Sequence, residues 1–231
     1  MFPPQPLRKR VARLPEEDSE TTDTDSEPSL SECLGVIRSH PRPTHFQPLL
    51  PMKTRRSSKL TVVLDLDETL VHTELRPVSQ PDHVVELEGP NGLCRAYVCY
   101  RPGLQAFLAA GAELFEFVLF TASDRTYASQ VMNKLDPART LVKHRLYREH
   151  CVPVRGMFVK DLNVLGRDMA QTVIVDNSLI AFAMNLANGI PILGWFNDPH
   201  DRELYGLFEF LQRLQQVPDV RPCLQAIYKL T

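Results

Sequence analysis

The chain has 231 residues, 43% of them apolar, which is enough to bury one hydrophobic core and leave a polar tail. A formal net charge of −2 provides no bulk attraction for nucleic acid, so we expect no direct nucleic-acid binding. The five cysteines are odd in number and contain no Cys-x-x-Cys pair, which argues against a disulfide framework and a structural zinc site. The sequence shows no signal peptide and no membrane segment, and we therefore expect a nuclear or cytoplasmic protein.

Residues 1–58 are predicted to be a disordered, proline-rich tail of mixed charge, and residues 59–231 to be the folded domain. The tail holds nine of the nineteen prolines and shows no sustained hydrophobic periodicity. Its basic run at residues 8–13 is a candidate nuclear-import signal or, equally, a solvated patch. Its acidic run at residues 16–27 is a candidate target of acid-directed kinases or, more simply, a solvating segment.

The first predicted strand, residues 60–64, is an apolar run with β-branched residues that ends directly before two aspartates. Because side chains alternate along a strand, Asp65 and Asp67 point to the same side at the carboxyl end. Two carboxylates placed together repel each other and are costly to desolvate, and a divalent cation removes both problems. The pair also allows one carboxylate to act as a nucleophile while the other donates and accepts protons.

After this strand the pattern predicts alternating strands and helices, which is typical of an α/β fold. The predicted elements are, in chain order, a hairpin of residues 84–88 and 93–99, a helix that begins at Pro102, a strand at 117–120, a helix capped by Ser123 or Asp124, a strand at 172–175, a short helix at 180–186, a short strand at 190–193 and a helix at 204–214.

Two later strands end as the first one does. Thr121 follows the second predicted strand of the sheet, and Asp176 and Asn177 follow the third. Ligands of open α/β sheets bind outside the carboxyl ends of the strands, so we expect these side chains to meet. Lys160 offers a compact positive charge that suits a phosphate group. Together with the Asp-x-Asp pair, these residues predict phosphoryl transfer through an aspartyl phosphate with Mg²⁺.

Four motifs occur in a set order: Asp65-Leu-Asp-Glu-Thr-Leu-Val-His, Phe120-Thr-Ala-Ser, Val159-Lys-Asp-Leu and Val175-Asp-Asn-Ser. They resemble the motifs of the haloacid dehalogenase superfamily and, more narrowly, of its small phosphatases acting on the RNA polymerase II C-terminal domain and their phosphatase-like relatives. The resemblance covers roughly residues 59–225. It implies a Rossmann-like, doubly wound, mainly parallel sheet with a β-hairpin insert. No segment is long enough to form the large cap that usually covers the site in superfamily members acting on small metabolites.

The resemblance implies a Mg²⁺-dependent protein serine/threonine phosphatase in which Asp65 is the nucleophile. Asp67 would protonate the leaving oxygen and then deprotonate the attacking water. Mg²⁺ would be held by Asp65, the backbone carbonyl of Asp67, and Asp176. The expected substrate is a phosphorylated protein or peptide, either the polymerase tail or another phosphoserine protein.

The phosphate group is expected to contact two further residues, Thr121 by a hydrogen bond and Lys160 by charge. Asn177 is also expected at the phosphate-binding site, where it would orient Lys160 or the waters of the metal. Arg148 matches a position that contacts the substrate backbone in the family, although a solvated arginine is nearly as consistent with the sequence.

Two alternatives to a protein phosphatase remain open. A small-molecule phosphatase with the same chemistry is disfavoured by the missing cap, and a catalytically silent phosphoprotein-binding module is disfavoured because all four catalytic positions are intact. The chain also departs from the family pattern at two positions. Leu179 replaces a proline, and Leu75 replaces a phenylalanine that often lines a proline pocket. The smaller Leu75 weakens the case for the polymerase tail and leaves phosphoserine or phosphothreonine in other proteins equally open as the substrate. The sequence does not predict an oligomeric state.

Overall fold

The structure is a computed structural model that describes residues 28–41, 47–54, 60–89 and 92–230. Its strands are β1 (Thr61–Leu64), β2 (Val71–Glu74), β3 (His83–Gly89), β4 (Gly92–Tyr100), β5 (Glu116–Phe120), β6 (His144–Leu146), β7 (Val152–Val154), β8 (Met157–Val159), β9 (Thr172–Asp176) and β10 (Gly189–Pro191). Its α-helices are α1 (Leu30–Ser39), α2 (Leu104–Leu114), α3 (Arg125–Leu135), α4 (Glu203–Leu214) and α5 (Val220–Tyr228).

Five strands form one parallel sheet in the order β10-β9-β1-β5-β6. β1 lies in the middle with β5 and β9 on either side, which explains why all four of its residues are buried and apolar or hydroxylated. The chain extends from β1 to one edge through β5 and β6 and then crosses to the other side for β9 and β10. The predicted α/β fold with a doubly wound sheet is confirmed, and its switch point lies beside β1.

Alternate residues of β1 enter two separate cores. Val62 and Leu64 pack with apolar side chains of α2, α3, α4 and α5 on one face of the sheet. Val63 faces the other way and packs with Leu50 and Phe182, among others. That second face is covered by short 3-10 turns, such as Leu162–Leu165, in place of long helices. Burial on both faces fixes the direction of every side chain at the strand's carboxyl end.

The strands that sequence predicts for this sheet are confirmed to within two residues, and Asp124 is confirmed as the N-cap of α3, where its side chain accepts from the Tyr127 N–H. The sequence pattern does not predict β6, because this strand has only three residues and two of them are polar. The helix expected from Pro102 begins at Leu104 instead, because Gly103, with φ of 82°, occupies the N-cap. The helix expected at 180–186 is an irregular 3-10 segment, Ala183–Asn188.

The predicted hairpin of β3 and β4 gains a third strand. β2 pairs antiparallel with β4, so the insert is a three-stranded sheet in the order β2-β4-β3. Its inner face contributes Val85, Ala96 and Val98 to the same core as the helices. Between β1 and β5 the described residues contain this sheet and α2, with no larger cap. No helix in the described ranges has the length and apolar character needed to cross a membrane.

The structure describes two stretches within residues 1–58, and one of them, α1, departs from the prediction that this part of the chain lacks regular structure. α1 starts with a capping box of Ser29 and Glu32, and its buried residues are Cys33 and Ile37. Ile37 packs against the β7–β8 hairpin and the 183–184 region. Residues 47–54 also lie against the domain, where Leu50 is 6% exposed. Two apolar residues four apart are too few to stand out as periodicity, so the sequence pattern misses the helix. The basic and acidic runs lie outside the described residues.

Candidate active site

The predicted site residues converge at the carboxyl ends of the three central strands. Asp65 directly follows β1, Thr121 follows β5, and Asp176 is the last residue of β9. They border a cleft of ≈ 390 Å³ at the switch point of the sheet. The cleft is lined by Asp65, Asp67, Glu68, Thr121, Ala122, Ser123, Arg148, Met157, Phe158, Lys160, Asp176, Asn177, Ser178, Ile180 and Ala181.

Lys160 joins two of the three aspartates. It directly follows β8, and its Nζ lies 2.5 Å from Asp65 Oδ1 and 2.6 Å from Asp176 Oδ2. Burial of the ammonium group opposes its charge, but Asp176 and Asp65 together raise the pKa of Lys160 above its ordinary value. Burial raises the pKa of Asp176 to about 6, although the neighbouring Lys160 ammonium group acts to lower it. Because the ammonium group donates to both carboxylates at short distance, Lys160, Asp65 and Asp176 form one buried ion-pair cluster.

Asp67 has surroundings of a different kind. Ser123 Oγ donates to Asp67 Oδ2 at 2.7 Å, and the Tyr127 hydroxyl donates to Asp67 Oδ1 at 2.6 Å. Burial raises the pKa of Asp67, and these two hydrogen bonds partly offset the increase. Two carboxylates of one loop therefore differ in environment, since Asp65 faces an ammonium group and Asp67 faces neutral hydroxyls. Such a difference allows one to stay charged while the other exchanges a proton.

The loop that carries these aspartates is held by long-range contacts. Glu68 has a left-handed backbone (φ 55°), which turns the chain directly after Asp67. The Glu68 carbonyl accepts a 2.7 Å hydrogen bond from the Trp195 N–H. Arg101, only 1% exposed, donates to the Thr69 carbonyl at 3.0 Å and forms two 2.8 Å bonds to Asp201. These contacts fix the strained turn from two sides.

The remaining predicted residues also border the cleft, although not all of them contact one another. Thr121 is 1% exposed, and its hydroxyl accepts from the Ser123 N–H at 3.0 Å. Asn177 is exposed at the rim, and among the described residues no hydrogen bond joins its side chain to Lys160. Arg148 donates to the Ala122 carbonyl at 2.6 Å, so that arginine is fixed at the edge of the cleft.

The oxygen atoms of the cleft fit a hard divalent cation. Asp65 and Asp176 bring carboxylate oxygens to one shared ammonium group, and when all three aspartates are ionised Lys160 balances only one of their charges. A cation of charge +2 would balance the other two. The described ranges contain no group of three or more His, Cys, Asp or Glu side chains arranged as a metal site. Mg²⁺ does not require one, since it usually keeps several waters and binds one or two carboxylates.

Sequence reasoning missed Ser123 and Tyr127 as partners of Asp67. The sequence pattern predicts Ser123 as a possible helix cap. It predicts Tyr127 as a residue on the inward-facing side of α3. One signal was available: a buried tyrosine near the carboxyl end of a strand needs a partner for its hydroxyl. The sequence did not indicate which residue that partner would be.

A model of the family described as NLI interacting factor-like phosphatase matches residues 60–221. The chain belongs to this phosphatase family. The matched range contains every site residue named above and leaves α1 outside. The predicted resemblance is thereby confirmed.

Relatives at 42–46% identity carry related names. The chain is 46% identical over 79% of its length to CTD small phosphatase-like protein 3 of Caenorhabditis elegans, and it spans 64% of that protein. It is 44% identical over 78% of its length to CTD small phosphatase-like protein 2 of Dictyostelium discoideum, and it spans 32% of that protein. The human carboxy-terminal domain RNA polymerase II polypeptide A small phosphatase 1 is 42% identical over 84% of this chain and 73% of its own length.

Two solved structures share the fold of this family member. Fcp1, titled an essential RNA polymerase II CTD phosphatase, superposes with a TM-score of 0.60 at 19% identity, over 68% of this chain and 62% of Fcp1. A beryllium fluoride-bound variant of fission yeast Fcp1 superposes with a TM-score of 0.52 at 20% identity, over 73% and 54% of the two chains. At these identities the similarity extends to the fold alone.

Proposed function

We propose that this protein is a Mg²⁺-dependent phosphatase of phosphoserine and phosphothreonine proteins that works through an aspartyl phosphate on Asp65. The observation that carries the proposal is the contrast between the two aspartates of one loop. Asp65 Oδ1 lies 2.5 Å from the Lys160 ammonium group, whereas Asp67 accepts from the hydroxyl groups of Ser123 and Tyr127. The first arrangement suits a charged nucleophile, and the second suits a group that gives and takes a proton.

In the first step a carboxylate oxygen of Asp65 forms a bond to phosphorus while the bond from phosphorus to the serine or threonine oxygen breaks. Asp67 transfers its proton to that leaving oxygen. In the second step Asp67 removes a proton from a water whose oxygen attacks phosphorus, and the bond between phosphorus and Asp65 breaks. Inorganic phosphate leaves, and both aspartates return to their starting protonation states.

The other cleft residues hold the phosphoryl group in place. Lys160 supplies positive charge from the sheet side, and the Thr121 hydroxyl can donate to a phosphoryl oxygen at the end of β5. Asp65, the Asp67 carbonyl and Asp176 would hold Mg²⁺, and Asn177 lies at the rim beside them. Bound Mg²⁺ would neutralise charge on the phosphoryl oxygens.

A macromolecular substrate is supported by the absence of a large cap among the described residues and by relatives named after the RNA polymerase II C-terminal domain. We include that domain and other phosphoserine proteins as candidate substrates. Leu75, which stands in place of the expected phenylalanine, is 66% exposed. Because leucine is smaller than phenylalanine, it offers less apolar surface to a proline of the substrate. We place the protein in the nucleus or cytoplasm, which accords with five free cysteines.

The deciding experiment compares Asp65→Asn with Asp67→Asn on an aryl phosphate. The amide of Asp65→Asn cannot form the intermediate, so turnover should fall to background. Asp67→Asn keeps the nucleophile, and a good leaving group needs little protonation, so the first step should proceed. The second step lacks its base, and phosphorylated enzyme should accumulate. Mass spectrometry after acid quenching should therefore detect one added phosphate in Asp67→Asn and none in Asp65→Asn.

Metal dependence provides an independent check of the same proposal. EDTA should abolish turnover, and Mg²⁺ should restore it. Beryllium fluoride should inhibit, because it occupies the place of a phosphoryl group on an aspartate. Full turnover in the presence of chelator, or a phosphate that maps to Cys151 or a histidine, would contradict the proposed chemistry.

A further inference from the structure

Two hydroxyl groups hold Asp67 from opposite sides of the cleft wall. Ser123, which donates to Asp67 Oδ2, lines the cleft. Tyr127, which donates to Asp67 Oδ1, belongs to the core cluster of the helical face and is 8% exposed. Oδ1 is therefore the inner oxygen of this carboxylate, and Oδ2 is the oxygen on the cleft side.

The Tyr127 hydroxyl has a second partner, Thr73, whose Oγ1 lies 2.6 Å away. A tyrosine hydroxyl carries one hydrogen, and the carboxylate of Asp67 engages it, so Thr73 must be the donor in its contact with Tyr127. The result is a directed chain of hydrogen bonds from Thr73 through Tyr127 to Asp67. Bonds in such a chain polarise one another and are strongest where the final acceptor is charged.

We propose that Tyr127 is a positioning residue for proton transfer, and that with Thr73 it orients Asp67 so that Oδ2 faces the leaving oxygen. The inference rests on the proposed function, in which Asp67 is the acid and base. Thr73 comes from β2 of the insert, and Tyr127 comes from the first turn of α3. The three-stranded insert is then part of the catalytic apparatus as well as of the core.

The chain is compatible with both protonation states that catalysis requires. When Asp67 is ionised, Tyr127 donates to Oδ1. When Asp67 carries a proton on Oδ2, Oδ1 is still an acceptor, and the bond from Tyr127 is retained. The inner oxygen is occupied by a donor in both states. The exchangeable proton is thereby confined to the cleft side, where the leaving group and the attacking water need it.

Tyr127→Phe in the full chain tests the inference, since it removes the hydroxyl and retains the ring in the core. We expect kcat on a phosphoserine peptide to fall roughly tenfold to hundredfold, because a misoriented acid loses part of its rate contribution. KM should change by less than about twofold, and the loss should be smaller on an aryl phosphate, whose leaving group needs little protonation. Thr73→Val should cause a smaller loss with the same dependence on the leaving group.

Tyr228→Phe is the matched control. Tyr228 is a partly buried tyrosine on α5, and its hydroxyl has no hydrogen-bond partner among the described residues. This substitution should leave kcat unchanged on both substrates. Melting temperatures of all variants should be compared, because a loss of kcat that follows melting temperature instead of leaving group would indicate a structural role and overturn the inference.

A double-mutant cycle distinguishes this inference from the proposed function. In Asp67→Asn the rate of phosphoenzyme formation from aryl phosphate should be nearly unaffected by adding Tyr127→Phe, because the group that Tyr127 orients is already lost. If Tyr127→Phe caused an equal loss in the unchanged protein and in Asp67→Asn, Tyr127 would act independently of Asp67. That result would overturn the inference about Tyr127 and leave the proposed function intact. If instead Asp67→Asn retained full turnover on phosphoserine, the proposed function itself would fail.

Discussion

Glu116 is the centre of an ion-pair cluster at the amino ends of β1 and β5, opposite the cleft. Its carboxylate accepts two 2.8 Å hydrogen bonds from Arg167 and one of 2.8 Å from Thr61, and Lys53 lies 3.2 Å away. Burial by itself raises the pKa of Glu116, but the hydrogen bonds from Arg167 and Thr61 outweigh it and lower the value to about 2. The cluster links the segment before β1 to the sheet.

The lowered pKa of Glu116 predicts how the free energy of unfolding changes with pH. A carboxyl whose folded pKa is about 2, against an ordinary value of 4.5, stabilises the fold fully above pH 4.5 and loses that contribution as pH falls toward 2. Glu116→Gln should therefore be less stable than the unchanged protein at pH 7. The difference in free energy of unfolding should shrink between pH 4.5 and about 2.5. Urea titrations at several pH values measure it, and a difference that is constant with pH would contradict the assignment.

At the scale of elements, α1 extends the folded unit beyond the range that matches the family. Ile37 is fully buried in a cluster with Val159, the residue before Lys160, and with Met157, which lines the cleft. Gly35 lies on the exposed side of the same helix, and a Cβ added there would meet nothing within 4 Å. Substitutions at these two positions of the same helix are expected to change the free energy of unfolding in opposite directions.

Ile37→Ala should lower the free energy of unfolding by about 2 kcal/mol, because it empties a buried site at the edge of the domain. Gly35→Ala should raise it by about 0.5–1 kcal/mol, because alanine stabilises an exposed helix position without a clash. Chemical denaturation measures both changes. No effect at either position would mean that α1 is not docked in solution.

Truncation tests the predicted domain boundary, which stays a prediction. Removing residues 1–27 should leave the melting temperature unchanged, because it keeps α1 and Leu50, which pack against the domain. Removing residues 1–58 should lower it, because Ile37 and Leu50 leave two apolar clusters. An unchanged melting temperature after the longer truncation would show that residues 59–231 are the complete folding unit after all.

For the whole molecule, the rim of the cleft determines which substrates can enter. Arg148 lies with its guanidinium group 5.0 Å from the centre of the Phe158 ring, and its Nε is bound to the Ala122 carbonyl. Phe158 is 37% exposed, and Phe196, in the loop beside Glu68, is 56% exposed. Arg148 and Phe158 border the cleft without closing it, so an extended peptide can reach the aspartates where a bulky cap would block it.

We therefore expect phosphoserine peptides to have kcat/KM values at least about a hundredfold above those of small phosphorylated metabolites. Arg148→Ala should raise KM for peptides by roughly tenfold, the effect of losing one charge-assisted contact, and should leave aryl phosphate turnover unchanged. A panel of peptides and metabolites assayed with both proteins measures this. Equal kcat/KM values for metabolites and peptides would favour the small-molecule phosphatase instead.

The sequence by itself predicted which residues meet at the carboxyl ends of the central strands. Asp65, Thr121 and Asp176 could be recognised because each ends an apolar strand, and parallel strands bring their carboxyl ends to the same edge of a sheet. That rule depends on local patterns of a few residues and on one general property of sheet topology. The switch point beside β1 then follows from the strand order. The roles assigned to these residues remain predictions for the mass-shift experiment.

The tertiary structure alone decided which groups surround Asp67. Tyr127 is 60 positions away in sequence and Thr73 reaches it through the pairing of β2 with β4, so no local pattern could show that their hydroxyls meet. The docking of α1 has the same origin, because Ile37 is buried only by the surface that β7, β8 and the 183–184 region form together. Local periodicity specifies strands and their ends, whereas contacts between distant segments depend on how the completed elements pack.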